Sequence, residues 1–219
     1  MSSKEETLKL EKELMFAYSK EQADKFFAYI DKVLERNEHI NLTAVRDRDE
    51  AVQKHIADSL SVVNLQEYQD AKTIIDVGTG AGFPGAMLAI ASPEKHFTLL
   101  DSTLKRLKIV DEFAEDLDIK NIETVHARAE EINKKPEHAE NYDLCVTRAV
   151  ANLTTLLDWC LPFVKKNGHL IAYKGENFQE ELDAAERTIK KYGAKAERID
   201  KVPDSYSDIS GHTLIIIKR

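Results

Sequence analysis

The chain has 219 residues, of which 42% are hydrophobic, and carries a formal net charge of −8. That length fits one α/β domain with a helical extension. The charge argues against broad, non-specific binding of nucleic acid, which rests on positive charge, while leaving room for a local basic patch.

In chain order, the segment up to about Leu65 reads as helices. MSSKEETLKLEKEL is charged and lacks the apolar core of a secretory signal. Phe26, Phe27, Ile30, Val33 and Leu34 form one helical stripe, and Val52, His55, Ile56, Leu60 and Val63 form another. The polar connection NEHINLTAVRDRDE between them offers Asn41, Thr43 and Asp47 as turn or cap residues. From Thr73 onward, strands and helices alternate. TIIDV, FTLLD, IETVHA, YDLCVT and HLIAYK read as strands, and each is followed by a helical or short irregular stretch. The helix LTTLLDWCLPFV is expected to end near Pro162, and Gly193 falls where a C-cap glycine belongs. AKAERID and HTLIIIK close the chain as two strands with no helix between them.

This pattern predicts a mostly parallel, seven-stranded, doubly wound sheet with an antiparallel edge from the final pair. It divides the chain into a helical extension, 1–70, and an α/β domain, 71–219. No apolar run approaches the ~20 residues of a membrane span. The two cysteines, Cys145 and Cys160, stand in apolar segments without metal-site or disulfide spacing. That fits a reducing, cytoplasmic setting.

Four of the eight glycines fall within eight residues, in IIDVGTGAGFPG, directly after the first strand of the sheet. Ligands of such sheets bind beyond the carboxyl ends of the strands. A phosphate-binding P-loop needs a lysine after its last glycine, and none is present. A dinucleotide fingerprint is supplied by Gly80, Gly82 and Gly85, with Asp101 21 residues after Gly80. Asp76 separates the remaining readings. Beside a pyrophosphate its carboxylate would be repelled, with no basic residue in the loop to offset it. Beside the sulfonium and ammonium of S-adenosylmethionine it is favourable. Asp101, at the end of the second strand, is placed to accept hydrogen bonds from ribose hydroxyls. The plainer alternative makes Asp76 a cap and the glycines a tight turn.

NLTAVRDRDEAVQKHIADSL, DVGTGAGFPG, LLDSTLKRLKIV, HARAEE and YDLCVTRAVA resemble the RsmG family, also called glucose-inhibited division protein B. The resemblance runs from about Lys25 to the C-terminus. It implies a class I, Rossmann-like methyltransferase that uses S-adenosylmethionine to methylate N7 of a guanine in bacterial 16S rRNA. It also implies site residues. Asp76, Gly78, Gly80, Gly82 and Phe83 would lie at the cofactor loop. Asp101 would hold the ribose, and Ala129 and Glu130 would border the adenine. Arg148 would stand at the cofactor and substrate mouth as the catalytic residue. His55, Asp58 and Ser59 would close over the pocket. Two positions depart from the family pattern: Arg36 before Asn37, and Gly211 before His212.

Other methyltransferase chemistries are excluded. The fourth strand ends in TRAVA, without the proline motif that holds a planar amine, and neither cysteine stands in a nucleophile loop. Guanine N7 needs no deprotonation, so positioning suffices. The expected partner is 16S rRNA, within the small ribosomal subunit or its precursor, met by a monomer. Its contacts would come from a basic rim of Arg46, Arg48, Lys54, Lys105, Arg106, Arg128, Arg148 and Lys174. A nicotinamide-dependent oxidoreductase and a non-catalytic ribosome-assembly factor remain open at this point.

Overall fold

The computed structural model describes residues 3–201 and 212–219; Gly211 lies outside the described residues. The strands are β1 (Thr73–Val77), β2 (His96–Asp101), β3 (Ile122–His126), β4 (Tyr142–Arg148), β5 (Val164–Lys174), β6 (Lys195–Lys201) and β7 (Thr213–Lys218). They form one sheet in the order β3-β2-β1-β4-β5-β7-β6. The pairs from β3 through β5 are parallel, and β7 runs antiparallel to both β5 and β6.

The expected antiparallel edge is present: the final pair closes the sheet, with β7, the last strand in sequence, as its interior member and β6 outermost. The composition explains this. Thr213–Ile217 are all buried, and an apolar run of that kind must be covered on both faces. The segment KAERIDK is rich in charge, which suits an exposed edge.

Alternation along the strands sorts side chains between two cores. Ile74, Leu99, Leu144, Val146, Ile171 and Tyr173 face one cluster, while Ile75, Val77, Leu100, Cys145, Leu170 and Ala172 face the other. The first cluster is covered by α1 (Ser3–Ala17), α2 (Lys20–Asn37), α6 (Gly85–Ala91) and α7 (Leu104–Asp116). It also takes in α3 (Arg48–Ala51), α4 (Asp58–Leu60) and α5 (Gln66–Asp70). The second is covered by α8 (Ala129–Ile132), α9 (Leu153–Cys160) and α10 (Phe178–Lys191). The N-terminal helices therefore share one core with the sheet.

Helix α2 shows how the sequence sets this contact. Ser19 and Gln22 form a capping box at its start. Its Phe26, Tyr29, Ile30 and Val33 are buried at 0–1% exposure, and each contributes roughly 1.5–3 kcal/mol by leaving water. The Gln22 Nε2 donates to Ile90 O at 2.9 Å, which ties α2 to the end of α6.

The second stripe is helical but not uniformly α. Val52–Ala57 winds as a π-helix between α3 and α4, a form that recurs at functional sites. Helix α7 buries Leu107, Ile109, Val110 and Phe113, while Leu104 at its start is 45% exposed. Helix α9 stops at Cys160, and Leu161–Phe163 continues as a 3-10 turn into β5. Among the described residues no helix is long and apolar enough to cross a membrane.

Candidate functional site

The loop between β1 and α6 is built on its own backbone bonds. Gly78 N and Thr79 N donate to Leu100 O, and Gly82 N and Phe83 N donate to Thr79 O. Asp101 fastens the loop to β2. Its Oδ2 accepts from Gly80 N at 2.9 Å and its Oδ1 from Thr103 N at 2.7 Å. Each carboxylate oxygen has a second lone pair, so both keep acceptor capacity.

A cleft of about 310 Å³ opens beside this loop at the carboxyl ends of the strands. Four of the expected site residues line it: Gly78, Asp101, Ala129 and Glu130. Arg106 and Arg128 line it too, so the cleft is not free of positive charge although its glycine loop is. Val150 and Trp159 also line it, and sequence reasoning had not singled them out.

The other expected site residues do not line the cleft. Asp76 shares the strand face of Ile74 and is fully buried under the loop, where its Oδ2 accepts from Gly85 N at 2.8 Å. This is the capping role, and the charge argument drawn from Asp76 facing a ligand is corrected accordingly. Burial raises its pKa to about 6, against the opposing backbone bond from Gly85. Gly82 is required by the protein itself, because a Cβ there would meet Tyr29 Oη at 2.1 Å. Tyr29 in turn donates to Ala81 O at 2.9 Å, so α2 braces the loop from behind. A Cβ at Gly80 would meet nothing within 4 Å.

Phe83 lies in a cluster on the side of the N-terminal helices. His55 stacks on its ring, with centroids 4.3 Å apart and planes at 9°. Arg148 lies over the same ring at 5.7 Å. The Arg148 Nη1 pairs with Asp58 Oδ2 at 2.5 Å and donates to Lys54 O at 3.1 Å. Asp58 is fully buried, and the Arg148 side chain is 9% exposed. The His212 Nδ1 meets the other Asp58 oxygen at 2.7 Å. Burial works to raise the Asp58 pKa, but His212 and Arg148 outweigh it and hold the carboxyl below its ordinary value. Arg148 thus points into an ion pair rather than into the cleft. Ser59 is fully buried and donates its hydroxyl to His55 O. His55, Asp58 and Ser59 therefore pack behind the loop; they do not close over the cleft.

His55 is neutral in this setting. Burial, then the Arg148 cation, pull its pKa down to about 3. Its Nε2 lies 3.0 Å from Thr43 Oγ1 and its Nδ1 3.5 Å from Arg148 Nη2. A neutral ring with its proton on Nε2 satisfies both contacts, since guanidinium can only donate. The unfolded chain takes up a proton near pH 6.5 that the folded chain refuses until about pH 3. Stability contributed here is complete above pH 6.5 and falls as the pH drops. Between pH 7 and pH 5 this costs about 2 kcal/mol. Asp76 acts in the opposite sense, so the effect is isolated by difference. Urea unfolding of wild type and His55→Gln at both pH values is expected to show wild type losing about 2 kcal/mol more. Parallel losses in the two proteins would refute a neutral His55.

Asn37 was noted in the sequence only for its neighbour. Its side chain accepts from Leu42 N and Thr43 N and donates to Thr43 O and Val45 O, which shapes the connection that carries Thr43. Asp47 caps α3 as expected, accepting from Glu50 N at 2.9 Å. The basic rim is narrower than the sequence implies. Arg48 pairs with Asp31 and Glu11, Lys54 with Glu50, Arg148 with Asp58 and Lys174 with Glu181. Among the described residues, Arg46, Lys105, Arg106 and Arg128 carry no such acidic partner.

The sequence matches the family described as rRNA small subunit methyltransferase G over residues 22–209. The chain belongs to the rRNA small subunit methyltransferase G family. A relative of that name from Acetivibrio thermocellus is 46% identical over 198 residues, 90% of this chain and 81% of that protein. Another from Clostridium perfringens (strain SM101 / Type A) is 42% identical over 202 residues, 92% of this chain and 84% of that protein. The fold is shared with an O-methyltransferase from Bacillus cereus solved in complex with SAH. That likeness has a TM-score of 0.59 at 17% identity and covers 87% of this chain and 90% of that one. As a member of the methyltransferase G family the protein is an S-adenosylmethionine-dependent enzyme, and the cleft fits that cofactor. It offers Asp101 as an acceptor for paired ribose hydroxyls, the backbone of Gly78 at its floor, and the indole of Trp159 as an apolar wall.

Proposed function

We propose that this protein transfers a methyl group from S-adenosylmethionine to N7 of a guanine in 16S rRNA. It acts as a cytoplasmic monomer on the small ribosomal subunit or its precursor. The observation that carries the reading is Asp101, a carboxylate 7% exposed at the wall of the cleft. One lone pair on Oδ2 is held by Gly80 N of the loop and one on Oδ1 by Thr103 N, and the other on each oxygen is left for a diol.

S-adenosylmethionine supplies, when bound, a methyl group electrophilic enough for an aromatic nitrogen to attack. The chain's task is orientation. Asp101 holds the ribose, with Gly78, Ala129 and Glu130 bordering the cofactor and Gly80 holding Asp101 in place through its N–H. Asp76, Gly82 and Phe83 act one layer below and fix the loop's shape. Arg148 is a positioning residue that locks the end of β4 to the helix carrying Asp58. The N7 lone pair lies in the ring plane and is free at neutral pH, so no general base is required. Mass spectrometry of 16S rRNA nucleosides from cells with and without the protein tests the reading. Unchanged N7-methylguanosine would overturn it.

Recognition of RNA rests on the four cations left unpaired, Arg46, Lys105, Arg106 and Arg128. About four phosphate contacts give a slope of log affinity against log salt on the order of −2 to −4. Binding to small subunits across a salt series measures it. A slope near −8 would mean that the internally paired cations also engage RNA. The same argument expects an isolated rRNA hairpin to be methylated far more slowly than assembled subunits, and equal rates would contradict it.

A further inference from the structure

The segment leaving β4 carries Ala149 and Val150 into the cleft. Ala149 adopts a φ of +55°, in the left-handed region that side chains with a Cβ rarely enter. Val150 rests on Gly78, where an added Cβ would come within 2.4 Å of Val150 Cγ2. Such a conformation persists only where the surroundings over-determine it.

The surroundings do so from both sides. Arg148, just before the segment, is held by Asp58. Just after it, Leu153 N at the start of α9 donates to Glu181 Oε2 at 2.7 Å. The same Glu181 oxygen takes the Lys174 ammonium at 2.6 Å, and Lys174 also donates to Ala151 O at 2.9 Å. The Lys174 side chain is 9% exposed and that of Glu181 28%, and neither residue lines the cleft. A buried ammonium needs its acceptors, and the acceptors it has are the two points that fasten this segment. Lys174 comes from the end of β5 and Glu181 from α10, so two elements outside the cleft converge on one stretch inside it.

We propose that Lys174 and Glu181 form one positioning unit that sets Val150 against Gly78 and so tunes the cleft's affinity for S-adenosylmethionine. The inference rests on the methyltransferase reading above. It removes Lys174 from the RNA-binding rim, because its charge is spent on Glu181. Loosening either partner frees Ala151 and Leu153, lets Val150 shift, and weakens the cofactor without touching the RNA surface.

The test uses Lys174→Gln, Glu181→Gln and the double variant with small ribosomal subunits as substrate. Cofactor binding is read separately by titrating S-adenosylhomocysteine against the fluorescence of Trp159, the only tryptophan in the sequence. Each single change is expected to raise the cofactor KM and the S-adenosylhomocysteine Kd about tenfold, the scale of one charged hydrogen bond. The double variant should be no worse than either single, and the KM for subunits should stay within about twofold.

A rise in the subunit KM with Lys174→Gln but not with Glu181→Gln would overturn the proposal and return Lys174 to the RNA surface. A fall in melting temperature with both KM values unchanged would also overturn it. If Lys174→Gln fails to fold, Glu181→Gln at the more exposed partner decides alone. Wild type that binds S-adenosylhomocysteine but leaves subunits unmethylated would count against the substrate reading, while the Kd comparison still judges this one.

Discussion

Asp58→Ala is expected to lower the free energy of unfolding by about 3–5 kcal/mol, the cost of removing one partner of a buried ion pair. Arg148 would keep its guanidinium in a site 9% exposed, with Lys54 O and the neutral His55 as its remaining neighbours. His212 would lose its 2.7 Å contact with Asp58 as well. The double variant Asp58→Leu with Arg148→Met should recover most of the loss, because an apolar pair of similar volume avoids the desolvation of both charges. Urea unfolding of Asp58→Leu, Arg148→Met and their double closes the cycle. A loss below about 1 kcal/mol in the singles would show the pair to be solvent-screened, as surface pairs are. If Arg148 acted as the catalytic residue that the family resemblance implies, Arg148→Ala would damage methyl transfer more than stability. With Asp58 buried behind it, both should fall, so turnover has to be compared at a temperature where the variant remains folded.

Asp101→Ala should weaken binding of S-adenosylmethionine by about 1–3 kcal/mol, or roughly five- to 150-fold. Two losses combine. The ribose acceptors disappear, and Gly80 N and Thr103 N lose their partner, so the loop itself loosens. Asp101→Asn separates them, since it keeps an oxygen for one loop bond but offers a donor where the other acceptor stood. Calorimetric titration should place Asn between wild type and Ala. An unchanged Kd in Asp101→Ala would remove this residue from the cofactor site.

Much of this was readable from the chain because its signals are local. Short apolar runs marked the strands, four clustered glycines marked the loop, and Gly193 sits at φ +62° after α10, as a C-cap glycine should. The misplaced residues fail for a shared reason. Asp76 follows Ile74, and Arg148 follows Val146, by two positions on strands whose faces alternate. That puts both toward the N-terminal helices, although proximity to the glycine loop had suggested the cleft. Alternation could have warned of this. What it could not supply is the partner, because Asp58 and Arg148 are 90 residues apart and nothing local couples them. The same holds for Lys174 and Glu181, which in sequence look like one more cation and one more solvated acid. Asn37 is a subtler case, since an asparagine at a helix end reads as a cap until four backbone groups are seen to converge on it.

The placement of β7 has a consequence for how the chain comes to be folded. Synthesis delivers β1 to β6 first, and at that stage β5 has an open side with Leu170, Ile171 and Ala172 along it. Strand β6 does not close that side, because among the described residues its partner in the sheet is β7 and not β5. The slot is filled only when Thr213–Lys218 emerges, and Arg219 N then bonds back to Gly168 O at 3.0 Å. Until then the nascent protein exposes an apolar strand edge, the kind of surface that pairs with other chains. Premature termination anywhere before Thr213 therefore leaves more than a shortened enzyme. It leaves a sheet with a missing interior member, bound for aggregation or proteolysis.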